Sequence, residues 1–147
     1  MDVMRSLSIS GSALTAERLR LDVIANNIAN ANTTRTAAGG PYRRQVVVFA
    51  PRGEQVQWMF PGMEQPSGAF RGRGVRVAGI VQDASPFKRM YNPGHPDADA
   101  SGYVALPNVN PVTEMVDLMA ATRAYEANVA AIGASRQMAQ RALDMGR

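Results

Sequence analysis

The chain has 147 residues, about the size of one domain, and 46% of them are hydrophobic, as in a typical globular protein. It contains no cysteine, which excludes disulfides, thiolate metal sites and cysteine nucleophiles, and no apolar run approaches the roughly 20 residues of a membrane-spanning helix. The net charge is +4, with the positive excess between residues 35 and 89. This basic middle favours either an anionic partner or a solvated surface. Residues 1–10 lack the basic cluster and apolar core of a cleavable secretory signal.

The first predicted element is a helix over residues 3–31. Apolar residues recur at intervals of seven, at Leu7, Leu14, Leu21 and Ile28, and Ile24 widens the stripe beside Leu21. This spacing places them on one face of a helix. The polar residues that follow position 29 are expected to end the helix, because their side chains compete for backbone hydrogen bonds.

An asparagine cluster marks the end of this helix, at Asn26, Asn27, Asn30 and Asn32. Its members are predicted to fasten the helix end to adjacent backbone through amide hydrogen bonds. Simple helix termination is the alternative.

The middle of the chain, residues 36–107, is rich in proline and glycine and is predicted to form short strands and turns. The strand candidates are residues 45–49, 75–81 and 103–106, with β-branched residues in each of the first two. Residues 51–74 are predicted to form a long irregular loop. So few short strands predict a small module with little core of its own.

A second long helix is predicted over residues 112–145. Asn110 is placed to cap it, and Pro111 suits its first turn. An apolar seam follows alternating steps of three and four, at Met115, Leu118, Thr122, Tyr125, Val129, Ile132, Ala139 and Leu143. Alanines along this helix permit close approach of another helix.

Together these elements predict an α+β fold, with the two terminal helices packed as a coiled coil around a small β-rich insertion. The expected divisions are residues 1–34, 35–107 and 108–147. The middle is too small to cover both apolar seams, so the seams cover each other or the helices of neighbouring subunits. An ordinary intramolecular helical hairpin is the alternative.

Two terminal segments resemble the axial proteins of the bacterial flagellar rod and hook: LDVIANNIANANTT at residues 21–34, and NVNPVTEMVDLM at 108–119 followed by RAYEAN at 123–128. Shorter motifs of the middle are similar to those of the proximal rod proteins in particular: GGPYRRQ at 39–45, DASP at 83–86, YNPGHPDADA at 91–100 and GYVA at 102–105. Residues 50–72 fall outside any recognised pattern.

The resemblance implies a structural subunit of the proximal rod and no enzymatic activity or cofactor. It implies export through the flagellar type III apparatus without a cleaved signal, and polymerisation in the periplasm beside other rod proteins and the export-gate adaptor. It also implies that the terminal helices form the wall of a torque-transmitting tube around the export channel, and that they order on assembly. The assembly seam would comprise Leu7, Leu14, Leu21, Ile24, Asn27, Ile28, Asn30, Met115, Leu118, Tyr125, Val129, Ile132 and Leu143.

Other functional motifs are weaker. Residues 97–102 match the first half of a calcium-binding loop, but Asn108 stands where the bidentate glutamate is required. His95 is the sole histidine, which disfavours both a zinc site and a catalytic triad. A basic nucleic-acid-binding module centred on residues 71–76 is the leading alternative, although aromatic residues for base stacking are sparse there. A cytoplasmic helical-hairpin adaptor is a third.

Overall fold

The computed structural model describes residues 3–52 and 73–145. Within these ranges the elements are two helices and four strands, in the order α1 (Val3–Ala29), β1 (Gln45–Pro51), β2 (Val75–Gln82), β3 (Lys88–Tyr91), β4 (Tyr103–Leu106) and α2 (Pro111–Asp144). Two long helices with small antiparallel sheets between them agree with the predicted α+β class.

The two helices pack side by side and run in opposite directions. Ser6 near the start of α1 lies beside Ser135 near the end of α2, with 3.2 Å between their hydroxyl oxygens. At the other end of the pair, the Asn27 side chain donates a hydrogen bond to Glu114 at 3.0 Å. In the described residues, α2 has 34 residues and α1 has 27, so α2 extends beyond α1 near Ser6.

The predicted helix boundaries differ from the observed ones by one or two residues. Asn110 caps α2 as predicted, because its side chain accepts a hydrogen bond from the Val112 amide at 3.1 Å and Pro111 follows it. Helix α1 ends at Ala29, two residues earlier than predicted. There Asn30 turns back on Asn26, donating both its backbone amide and its side-chain amide to the Asn26 carbonyl.

The strands form two separate two-stranded antiparallel sheets, β1–β2 and β3–β4. A bulge between Val48 and Phe49 shifts the register of the first sheet. Strands β1, β2 and β4 lie where the sequence predicts them, but β3 was not anticipated. All four β3 residues are exposed, so β3 has no hydrophobic alternation and is defined by its pairing with β4. Of the predicted 51–74 loop, residues 53–72 lie outside the described part of the chain.

The core of the described residues is small and consists mostly of small side chains. Its buried hydrophobic residues are Ala16, Val23, Ile24, Val104, Val109 and Ala121. Within the described residues, the β1–β2 sheet packs on α1 and makes no comparable contact with α2. Neither described helix is both long enough and apolar enough to cross a membrane.

Candidate assembly interface

A cluster of polar side chains lies where the end of α1, the start of β1 and the start of α2 meet. We call it the polar junction and define it by Asn27, Tyr42, Arg44, Asn108 and Glu114. Two of its members, Asn27 and Glu114, are almost completely inaccessible to solvent. Buried polar groups are costly unless they are hydrogen-bonded, and the members of the junction satisfy one another.

Asn27 pairs with the first residue of β1 as a neighbouring strand would. Its side-chain amide donates to the Gln45 carbonyl at 2.8 Å, and its side-chain oxygen accepts from the Gln45 backbone amide at 3.0 Å. The Tyr42 hydroxyl donates to the same Asn27 oxygen at 2.9 Å. Asn27 thus makes the fastening contact predicted for the asparagine cluster.

Glu114 and Arg44 form the charged centre of the junction. The Arg44 Nε donates to Glu114 Oε1 at 2.5 Å, and the second Glu114 oxygen accepts from Asn27. The outer end of Arg44 reaches Asp117 at 3.2 Å and Asp83 at 3.9 Å. Both oxygens of the buried carboxylate therefore have a donor, as a buried charge requires. Burial, together with the charge of Glu114, raises the pKa of the nearby Tyr42.

Asn108 extends the junction to the linker before α2. Its side-chain oxygen accepts from the Arg44 backbone amide at 2.8 Å, and its side-chain amide donates to the carbonyls of Asp83 and Ser85. Asp83 in turn accepts hydrogen bonds from the hydroxyl and backbone amide of Ser85, which lower the pKa of the Asp83 carboxyl. The junction therefore joins both helices, the β1–β2 sheet and the 83–85 turn.

Sequence reasoning did not foresee the roles of Arg44, Asn108 and Glu114. From sequence alone, Glu114 is a charge near the N-terminus of the second helix, and Arg44 is one of the basic residues between positions 35 and 89. Their pairing joins residues 70 positions apart, and no local pattern carries that information. For Glu114 itself, the sequence offered one signal: a polar residue at a position that continues the buried face of α2.

On α1, the leucines of the predicted seam, Leu7, Leu14 and Leu21, are half-buried, as is Ile28. Ile24 and Asn27 are more completely buried than these. The most buried face of α1 therefore carries Ile24 and Asn27, and the leucines at seven-residue intervals lie beside it. Asn30, the remaining N-terminal member of the predicted seam, lies directly after α1, is half-buried and is bonded to Asn26.

On α2, the predicted seam divides into two groups. Leu118, Tyr125 and Ile132 are half-buried, whereas Met115, Val129 and Leu143 are 52%, 47% and 74% exposed. Glu114, Ala121 and Asn128 are turned inward, each one residue before a predicted seam member, and Ser135 is turned inward as well. Three of these four are polar, so a search for apolar periodicity selects their neighbours instead.

Large apolar side chains are exposed at several places on the described surface, including α2 and the β1–β2 sheet. On α2 they are Val112, Met115, Val116 and Met119, all more than half exposed and one to two helical turns apart. On one face of the β1–β2 sheet they are Val46, Val48 and Val81, since Val46 pairs with Val81. Contiguous exposed apolar groups of this kind mark interaction surfaces.

The predicted candidates for metal or catalytic chemistry have structural partners. His95 Nδ1 accepts from the Asp97 amide, and Asp97 accepts from the Thr34 hydroxyl at 2.8 Å. Asp99 accepts from the backbone amides of Tyr103 and Ser101, and these bonds lower the pKa of its carboxyl. These side chains hold the turn that leads into β4. Of the residue 71–76 basic module, positions 71 and 72 lie outside the described residues.

Comparison with known proteins identifies the class. Residues 7–35 match the family model described as "Flagella basal body rod protein", and residues 100–145 match "Flagellar basal body rod FlgEFG protein C-terminal". The matches fall on the two segments that contain α1 and α2, which the polar junction joins.

Relatives of full length narrow the family. The chain is 50% identical to the flagellar basal-body rod protein FlgC of Borreliella burgdorferi, over 97% of each chain. It is 44% identical to the protein of that name from Bacillus subtilis over 100% of each chain, and 41% identical to that of Salmonella typhimurium over 99%. The chain therefore belongs to the FlgC family of flagellar basal-body rod proteins. This is a family of structural proteins of the flagellum and not of enzymes.

Proposed function

We propose that the chain is an axial subunit that polymerises with other rod proteins into a torque-transmitting tube around the export channel. The observation that carries this proposal is the apolar surface of α2. On this 34-residue helix, four large apolar side chains are exposed: Val112, Met115, Val116 and Met119. A subunit that buries this surface against neighbours gains the hydrophobic stabilisation that its own small core does not provide.

The spacing of the inward positions on α2 supports packing as a coiled coil. Positions 114, 118, 121, 125, 128, 132, 135 and 139, all buried or half-buried, alternate in steps of four and three. That repeat averages 3.5 residues, the period that keeps one face of a helix against a partner helix. Buried alanine and serine on this face permit a close approach of α1 and α2.

The polar junction gives the subunit a means of transmitting torque. Because Asn27, Arg44 and Glu114 hydrogen-bond to one another, a force applied to the β1–β2 sheet reaches both helices without a flexible hinge at that point. We propose that repeated contacts between different faces of successive subunits build the tube, since contacts of that kind form open assemblies when their rotation does not close. The division into terminal helices and a middle module, at residues 34 and 107, is part of this proposal.

The partners and route that we propose follow from the family. They are the other proximal and distal rod proteins, the export-gate adaptor and the flagellar export apparatus, with assembly in the periplasm and no cleaved signal. The isolated subunit is expected to be only partly ordered, because few large side chains are buried within it.

The test combines two measurements. Electron cryomicroscopy of isolated basal bodies is expected to show the chain in the proximal rod with α1 and α2 packed around the channel. Far-ultraviolet circular dichroism of the purified chain is expected to show less helix than these two elements contain. A strongly helical monomer that is absent from basal bodies would contradict the proposal and favour a self-contained helical hairpin.

A further inference from the structure

An open groove of about 490 Å³ lies between α1 and β2, beside residues 12–19 of α1 and before the polar junction at the end of that helix. Its floor is apolar and is formed by Ala16, Leu19, Val75 and Val77. Arg52 and Arg76, both exposed, stand at its edge. We call it the arginine-edged groove.

The groove is built by a close approach of the sheet to α1. The Ser12 hydroxyl donates to the Ile9 carbonyl at 2.7 Å and accepts from the Val75 amide at 3.0 Å. The Thr15 hydroxyl donates to the Gly11 carbonyl. The hydroxyl protons of the wall are thus committed within the chain. The side chains that remain to bind an occupant are the apolar floor and the two guanidinium groups.

The arginines of the groove have no acidic partner within residues 3–52 and 73–145. Neither Arg52 nor Arg76 forms an ion pair within these residues. Two guanidinium groups beside an apolar floor, without an ion pair among the described residues, are complementary to a segment that carries both apolar side chains and carboxylates.

A second copy of this chain is poorly suited to be that segment. The chain has a net charge of +4. On the described helices, Glu17 pairs with Arg20, and Glu114 and Asp117 pair with Arg44. The other helical carboxylates, Asp22, Glu126 and Asp144, each lie one turn from an arginine. Every carboxylate of the described helices therefore has a basic side chain in an ion pair or within one helical turn, so these helices offer no acidic stretch of their own.

We propose that the arginine-edged groove binds an acidic, amphipathic segment of a different rod protein. The segment places apolar side chains over Leu19, Val75 and Val77 and carboxylates against Arg52 and Arg76. This inference rests on the proposed function, since it assigns one face of the subunit to a neighbour in the rod. It also gives a role to the basic middle of the chain.

The experiment places a photo-crosslinking amino acid at Thr15, which is exposed beside the groove, in the full-length protein in motile cells. The matched control is Thr122 on α2, which is also exposed and whose hydroxyl likewise donates to the carbonyl four residues earlier. After irradiation, basal bodies are purified and the cross-linked peptides are sequenced by mass spectrometry. The expected Thr15 adduct is a peptide of another rod protein that contains at least two acidic residues beside apolar ones, and the control does not yield it.

Charge variants test the recognition itself. Arg52→Glu with Arg76→Glu is expected to lower the yield of the Thr15 adduct about tenfold or more, whereas Arg52→Lys with Arg76→Lys keeps it within about twofold, because the positive charge is retained. Equal losses in both pairs would overturn the proposal.

The identity of the wild-type adduct decides the proposal even where a charge variant fails to assemble. An adduct with residues 53–72 of the same chain, with a second copy, with nucleic acid or with a non-acidic peptide would overturn it. So would a lack of any adduct. If mass spectrometry finds the chain in basal bodies, such a result leaves the proposed function standing. If the chain is absent from them, both fail.

Discussion

Asn27 and Gln45 are joined by two hydrogen bonds that run in opposite directions. The Asn27 side-chain amide donates to the Gln45 carbonyl, and the Gln45 amide donates to the Asn27 side-chain oxygen. The same Asn27 amide also donates to Glu114 on α2. Because Asn27 is on α1 and Gln45 begins β1, one side chain fixes the relative positions of three elements.

The first prediction concerns the charged centre of the polar junction. Glu114→Ala removes the acceptor of both Arg44 Nε and one Asn27 bond, and is expected to lower the free energy of unfolding by about 3 kcal/mol. The measurement is a titration with an osmolyte that promotes folding, followed by circular dichroism. Asp117→Ala is the control, because the more exposed Asp117 shares the same arginine, and its effect is expected to stay below about 1 kcal/mol. Equal effects would mean that burial of the ion pair is unimportant.

Gly74 provides the second prediction. Its φ of +100° is strained for other residues, and a Cβ there would overlap the Ser12 hydroxyl oxygen. Gly74→Ala is therefore expected to destabilise the fold by about 1–3 kcal/mol and to separate β2 from α1. In the same osmolyte titration, Gly133→Ala is expected to stabilise the fold by up to about 1 kcal/mol, because Gly133 lies within α2 and its Cβ would meet open space. A neutral Gly74→Ala would show that the close approach does not occur in solution.

The third prediction tests the assembly seam. Leu21→Asp or Ile132→Asp places a charge on a half-buried helical position and is expected to abolish incorporation into basal bodies and motility while sparing expression. Swimming in soft agar and immunoblots of purified basal bodies measure the outcome. Ala38→Asp makes the same charge change in an exposed turn and is expected to swim normally. Normal swimming of both seam variants would refute the seam.

The fourth prediction concerns acid. Hydrogen bonds from the amides of Tyr103 and Ser101 depress the pKa of Asp99 below its usual 3.8 in the folded protein. The stabilisation that the ionised Asp99 gives to this turn is therefore complete above about pH 4. It is lost as the pH falls through the pKa of Asp99 in the folded protein. We expect carboxyl chemical shifts to report a value below 3.8, under osmolyte conditions that keep the chain folded.

Asp99→Asn tests the same turn without a titrating group. The asparagine oxygen still accepts from the Tyr103 amide, so the acid-dependent shift of that amide signal is expected to disappear while the turn persists. Asp144→Asn, at an exposed position near the end of α2, serves as the control and leaves the Tyr103 titration unchanged. An unchanged Tyr103 titration in Asp99→Asn would show that another group controls the turn.

The sequence by itself determined the elements that depend on local chemistry. The Asn110 cap and Pro111 define the start of α2, and hydrophobic periodicity predicted both helices to within two residues. Strands β1 and β2 were recognisable because β-branched residues favour extended backbone. The terminal motifs were sufficient to indicate the flagellar rod and hook family.

Only the tertiary structure decided which side of each helix is inward. Apolar periodicity selected Met115 and Val129, but the inward positions are Glu114 and Asn128. Glu114 is bonded there by Asn27 of α1 and by Arg44, whereas Asn128 donates to the Ala124 carbonyl within α2. Strand β3 exists because β4 pairs with it, and the Arg44–Glu114 ion pair exists because the chain brings two distant segments together. Contacts between residues far apart in sequence carry no local signal, and so they are determined only when the whole chain has folded.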